Sequence, residues 1–154
     1  MDEKSAYFKD YLVELLQGGF APVVTLLKEF HYEKAGYVLD GLPFSAYGLL
    51  EHLKYRQTVL LHFMDDPENN QDVWPEAYWP KNMNPETKED WETSILHLEG
   101  QLDKMIKIVK SKDVDLHKVY GNGKSVAWAA MTAFHHNAYH IGQIKAIGRQ
   151  LGVW

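Results

Sequence analysis

The sequence predicts an all-α protein, an up-down bundle of four helices. Three observations carry this: three long segments repeat apolar residues at helical spacing, a further helical segment near the start is interrupted once, and the connections are mostly short. At 154 residues the length fits one domain, 1–154, large enough to bury a core without staples.

The elements follow in order. Ser5 to Gln17 places Phe8, Tyr11, Leu12, Leu15 and Leu16 on one helical face, and Gly18-Gly19 ends it, because glycine accepts the left-handed conformation that closes a helix. Pro22 suits a first helical position, and Val23, Leu26, Leu27 and Phe30 continue at helical spacing. AGYVLDGLP, 35–43, reads as a loop. Ser45 then caps a helix to about Met64, with an inner stripe of Ala46, Leu49, Leu50, Leu53, Gln57, Leu60, Leu61 and Met64 in which Gln57 is the one polar member. Residues 65–85, DDPENNQDVWPEAYWPKNMNP, hold four of the six prolines together with Trp74, Tyr78 and Trp79. A connection of this length is usually functional or disordered, and its aromatics argue for packing across the bundle, as a pinned loop or as the wall of a pocket. Asn84-Pro85 reads as a cap and first residue of the next helix, which repeats Trp91, Ile95, Leu98, Leu102, Met105, Ile106 and Val109. After the turn VYGNGKS, Ser125 caps a last helix to about Leu151, with Trp128, Met131, Ile144 and Ile147 expected inside.

Composition removes several function classes. The net charge is −5, and the densest basic run, KMIKIVKSK at 104–112, falls on the solvent side of a helix, so neither nucleic acid nor a membrane surface is an expected partner. No stretch approaches the roughly 18 apolar residues of a membrane span, the N-terminus does not read as a secretory signal, and the expected location is cytoplasmic. There is no cysteine. That excludes thiolate ligands and a cysteine nucleophile, so any metal is held by histidine, carboxylate or water, and any thiol chemistry takes its thiol from a second molecule.

The candidate chemistry lies in HHNAYHIGQI, 135–144, where three of the eight histidines fall within six positions. His136 and His140 are four apart on a helix, so their rings leave one face about 6 Å apart at Cβ and can share a divalent ion. The spacing is that of the zinc-protease motif HExxH, but Asn137 stands where the water-activating glutamate would be. A catalytic zinc site takes three protein ligands and keeps an open position, so a third is needed from another helix. His31, His52, His62 and His97 are the candidates. His52 ranks first, since it borders the apolar stripe and its own face carries Ser45 and Gly48, which leave room for a cavity.

GLPFSAYGLLEHLKYRQ, DVWPEAYWP and HNAYHIGQIKAIGRQLGVW, in this order, resemble the DinB-like family of small helical bundles over nearly the whole chain. The most specific part is the HxxxH-x-GQ signature. The resemblance implies an up-down-down-up four-helix bundle with a long Pro/Trp-rich connection between the second and third core helices. It also implies a metal triad of His52, His136 and His140, completed by water or substrate atoms.

With that triad, Gln143 is placed to hydrogen-bond a ligand histidine or a bound water, or else to close the bundle end. Gly142 would allow close helix approach. His135 is expected as an exposed neighbour, Asn137 and Glu51 as surface residues, and Arg56 as a surface salt bridge or a partner for an anionic substrate. Trp74, Tyr78 and Trp79 would wall a pocket. Zinc or nickel fits imidazole ligands best. The resemblance further implies a metal-dependent enzyme that activates a thiol or water, a low-molecular-weight thiol S-transferase or a hydrolase acting on a small-molecule substrate. The alternatives are a non-catalytic metal-binding stress or accessory protein, and a structural bundle without metal. A homodimer is compatible with such a bundle, with the terminal GVW helping to close it.

Overall fold

The computed structural model describes residues 3–19, 22–68 and 78–154. Trp74 and the rest of the 69–77 stretch lie outside the described residues. Six helices form: α1 (Glu3–Leu16), α2 (Val23–Glu29), α3 (Tyr32–Ala35), α4 (Ala46–Asp65), α5 (Lys88–Lys110) and α6 (Val126–Gln150), with no strand among the described residues. The all-helical class is as expected. The four-residue α3 is an addition that no apolar repeat announced. No helix among the described residues is long and apolar enough to cross a membrane.

Local chemistry sets most of the ends. Gly18 and Gly19 close α1 with φ of 101° and 50°. The Ser45 and Ser125 hydroxyls accept the amides of Gly48 and Trp128 at 3.0 and 3.1 Å, caps worth about 1 kcal/mol each. The start of α5 departs from expectation. Thr87, not Asn84, is the cap: its hydroxyl accepts the Asp90 amide at 3.1 Å while the Asp90 carboxylate accepts the Thr87 amide at 2.8 Å. This reciprocal pair satisfies two amides at once, which the Asn84-Pro85 pairing does not offer.

α4 packs against α5 and α6, and α1 packs against the same two helices. The whole expected inner stripe of α4 is buried, as are Trp91, Ile95, Leu98, Leu102, Met105 and Val109 of α5. Each large apolar side chain so buried stabilises the fold by roughly 1.5–3 kcal/mol. On α6 Ile144 and Ile147 are inside as expected and Trp128 is half-buried against the core, but Met131 is not inside. Ala127, Ala129, Ala130, Ala133, Ile141, Ile144 and Ile147 are buried, and Met131 is exposed. Alanines let the helices approach closely, so the buried face carries the smaller residues and the larger methionine falls outside.

Asn137 is also inside. Its Nδ2 donates to Gln57 Oε1 at 2.8 Å. Gln57 Nε2 in turn donates to the Leu98 carbonyl at 3.3 Å, and Gln101 Nε2 donates to Thr58 Oγ1 at 2.6 Å. These amides tie α4, α5 and α6 together, with the buried Asn137 Oδ1 left without a partner among the described residues. Glu51 is half-buried rather than surface, accepting from Lys54 Nζ and Ser94 Oγ, both at 2.6 Å.

Residues 78–87 run back across α4. The Ser45 hydroxyl donates to the Met83 carbonyl. A Cβ on Gly48 would lie 2.3 Å from Met83 Sδ, so the room at Gly48 is filled by methionine and is no cavity. A Cβ on Gly36 would meet the Asn84 backbone at 2.9 Å. These close approaches fix the strap that carries Tyr78 and Trp79. Gly142 makes no such approach: it is exposed, with nothing within 4 Å of a Cβ built on it.

The N-terminal segments secure the far ends of the long helices. Lys34 Nζ donates to the Leu151 and Gly152 carbonyls at 2.6 and 3.2 Å, and Lys9 Nζ to the Ser111 carbonyl at the end of α5. Trp154 packs on its own chain, edge-on to Phe30 with ring centroids 5.7 Å apart and against Gly148.

Candidate metal centre

His52 from α4 and His136 and His140 from α6 converge. Each offers one ring nitrogen such that the three lie within 4.8 Å of one another. They form the one such three-residue cluster of metal-ligand side chains among the described residues. His31, His62 and His97, the other candidates for the third ligand, are exposed and stand apart from it, and His135 is exposed as expected.

Hydrogen bonds fix two of the three tautomers. His52 Nδ1 donates to the Tyr78 carbonyl at 2.7 Å, and His140 Nδ1 donates to Gln143 Oε1 at 2.7 Å. With the proton on Nδ1, each ring keeps its Nε2 lone pair free, the arrangement in which an outer partner orients a metal-binding histidine. His52 Nε2 faces His136 Nε2 at 3.0 Å. Since His52 Nε2 is then an acceptor, His136 must donate from Nε2, and its Nδ1 is left as a buried acceptor without a partner.

Three imidazole nitrogens this close could hold an ion. A tetrahedral ion with bonds of about 2.0–2.1 Å to imidazole holds its ligand nitrogens roughly 3.3 Å apart. The contact between two Nε2 atoms would become two lone pairs turned on one cation, and the His136 proton would move to Nδ1, which has no partner among the described residues. Neutral rings are also what the surroundings favour. Burial pushes the His52 and His140 pKa values down, each against the opposing effect of its Nδ1 hydrogen bond. Burial, reinforced by the charges that His140 and His52 would carry, pushes His136 down to about 3. At neutral pH all three are uncharged and able to ligate.

The strap walls the site. Trp79 stacks on His52 and on Phe44, with centroids 4.1 and 5.6 Å apart and both pairs 10° from parallel. Tyr139, 62% exposed, stands edge-on to His140 at 4.9 Å. Arg56 makes no salt bridge among the described residues; its Nη1 donates to the Tyr78 hydroxyl at 3.0 Å.

His52, His136, His140, Gln143, Arg56, Tyr78 and Trp79 are thus brought together, while Trp74 lies outside the described residues. Phe44, Tyr139 and the Tyr78 carbonyl are additions. The carbonyl has no sequence signal, because a backbone oxygen is common to every residue. A cleft of about 530 Å³ lies elsewhere, between Lys28, Phe30, Tyr32, Trp91 and Ile95, and none of the triad lines it.

Fold and site together define a class, an all-helical protein with a three-histidine candidate metal centre. No family model, no curated protein and no solved structure matches the chain.

Proposed function

We propose that this chain is a DinB-like metalloenzyme that binds zinc or nickel through His52, His136 and His140 and activates a low-molecular-weight thiol for transfer to an electrophile. The observation that carries the reading is the convergence of three neutral imidazoles, two of them oriented by partners on Nδ1. The bundle would be up-down-down-up, with α1, α4, α5 and α6 as its four members and α2 and α3 as short additions. The contacts of α1 and α4 with both α5 and α6 support that arrangement.

A metal bound there would lower the pKa of a coordinated thiol or water and supply a nucleophile at neutral pH. Two features of the chain favour the thiol. Asn137, at the position of the glutamate in HExxH, is turned into the core toward Gln57, and no carboxylate joins the triad among the described residues. Water activation therefore lacks a neighbouring carboxylate base. A thiol, with an ordinary pKa of about 8.5, already ionises close to neutral pH and needs less help. The chain has no cysteine of its own to compete for the electrophile.

Elemental mass spectrometry of untagged protein tests the metal, with His140→Ala as the comparison. About one zinc or nickel per chain, lost in the variant, is expected. No metal in the parent protein, even after incubation with zinc, overturns the reading. A metal-loaded protein that consumes no thiol in the presence of electrophiles would instead be a metal-binding accessory protein without turnover.

A further inference from the structure

Arg56 lies one helical turn beyond His52, so the two side chains leave α4 on nearly the same face, about 5–6 Å apart at Cβ. Its guanidinium sits over the Tyr78 ring, 5.7 Å from the centroid, and spends one donor on the Tyr78 hydroxyl. The side chain is half-buried, and no carboxylate of the described residues pairs with it. Glu51, the acidic residue on the neighbouring face of α4, is engaged by Lys54 and Ser94.

Charge then sets what can bind. Three neutral imidazoles leave a divalent ion its full two charges, and Arg56 adds a third close by. A thiolate offsets one of them. A half-buried guanidinium with several donors unpaired among the described residues matches a carboxylate in shape and charge, and it binds one by paired hydrogen bonds.

We propose that the substrate held at the metal centre carries a carboxylate within reach of its metal-bound atom, and that Arg56 binds that carboxylate. This rests on the metal reading given above and adds the substrate class. Arg56 is then the residue that separates anionic from neutral thiols.

The test uses the cobalt(II)-loaded protein, whose visible spectrum reports both metal uptake and thiolate coordination. It is titrated with 3-mercaptopropionate and with 2-mercaptoethanol, which present a thiol with and without a carboxylate. A hydrogen-bonded charge pair of ordinary strength predicts a preference for 3-mercaptopropionate of roughly tenfold or more. In Arg56→Gln the ratio of the two affinities should fall to near unity, and in Arg56→Lys, which keeps the charge without the fork, part of it should remain. A ratio near unity in the parent protein, or an undiminished ratio in Arg56→Gln, overturns the proposal while leaving the metal reading intact. Cobalt bound but unmoved by either thiol overturns it too. Failure to take up cobalt at all removes the metal reading and this proposal with it.

Discussion

Trp79 lies face to face on His52, with ring centroids 4.1 Å apart and planes within 10° of parallel. A residue of the strap is thus in direct contact with a metal-ligand candidate from α4. Binding of a paramagnetic ion such as nickel or cobalt at the triad should quench the emission of this indole. Titration of the parent protein and of Trp79→Phe, followed by tryptophan fluorescence, should show most of the quenching lost in the variant. Equal quenching in both would mean that the ion binds away from His52.

Gln143 acts on the site through His140. Its side-chain oxygen accepts the Nδ1 proton at 2.7 Å and so turns Nε2 toward the other rings. Gln143→Leu should weaken metal binding about 10–100-fold, as loss of such an orienting partner does elsewhere. Competition with a chromophoric chelator measures this. Gln143→Glu, which keeps an acceptor, should retain most of the affinity.

The metal-free protein should lose stability in acid. Below the ordinary histidine pKa of 6.5 the unfolded chain takes up protons that folded His136, with its pKa near 3, does not. Stability therefore rises with pH through the window from about 3 to 6.5, where the unfolded state binds more protons, and levels off above it. His52 and His140 shift in the same direction and add to the slope. Urea unfolding at a series of pH values checks this, and His136→Leu should flatten the dependence. A parent profile that is flat between pH 4 and 6.5 would show that the His136 ring is already protonated in the fold.

Asn137 and Gln57 should behave as a coupled pair. Asn137→Ala leaves the Gln57 oxygen buried without its donor, at a cost of about 1–3 kcal/mol. Replacing both by leucine removes the polar groups together and should cost much less than the two single leucine changes combined. A double-mutant cycle by chemical denaturation gives the coupling, and strict additivity would show that the 2.8 Å contact contributes nothing.

How much of this could be read from the residues varies along the chain. The stripe of α4 was legible throughout, because long aliphatic side chains at helical spacing have one face to bury. On α6 Ile144 and Ile147 were placed correctly and Met131 was not. Four buried alanines carry the inner arc there, and a reading weighted by side-chain size turned Met131 inward and Asn137 outward. The ligand pair His136 and His140 was visible from spacing, since four residues fix a common face whatever the phase. His52 could be ranked from its face, but its partner is a backbone oxygen of Tyr78, set by the path of the strap. That path depends on contacts at Gly36 and Gly48 with residues far along the chain, which no local pattern encodes. The cap of α5 was misplaced for a related reason: Asn-Pro and Thr-x-x-Asp both signal a start, and only the second satisfies two amides.

His52 and His136 are 84 residues apart in the chain, and the carbonyl that orients His52 comes from a third segment. In the unfolded chain the full set of donors is scattered, so a metal that prefers three nitrogens gains its third only after α4 and α6 have docked. Binding energy then flows into the native state and not into its competitors. On the proposed metal reading, selection falls to a finished cage, and a misfolded chain would carry no tightly held ion. Metal occupancy in a purified sample would, on that reading, report the properly folded fraction.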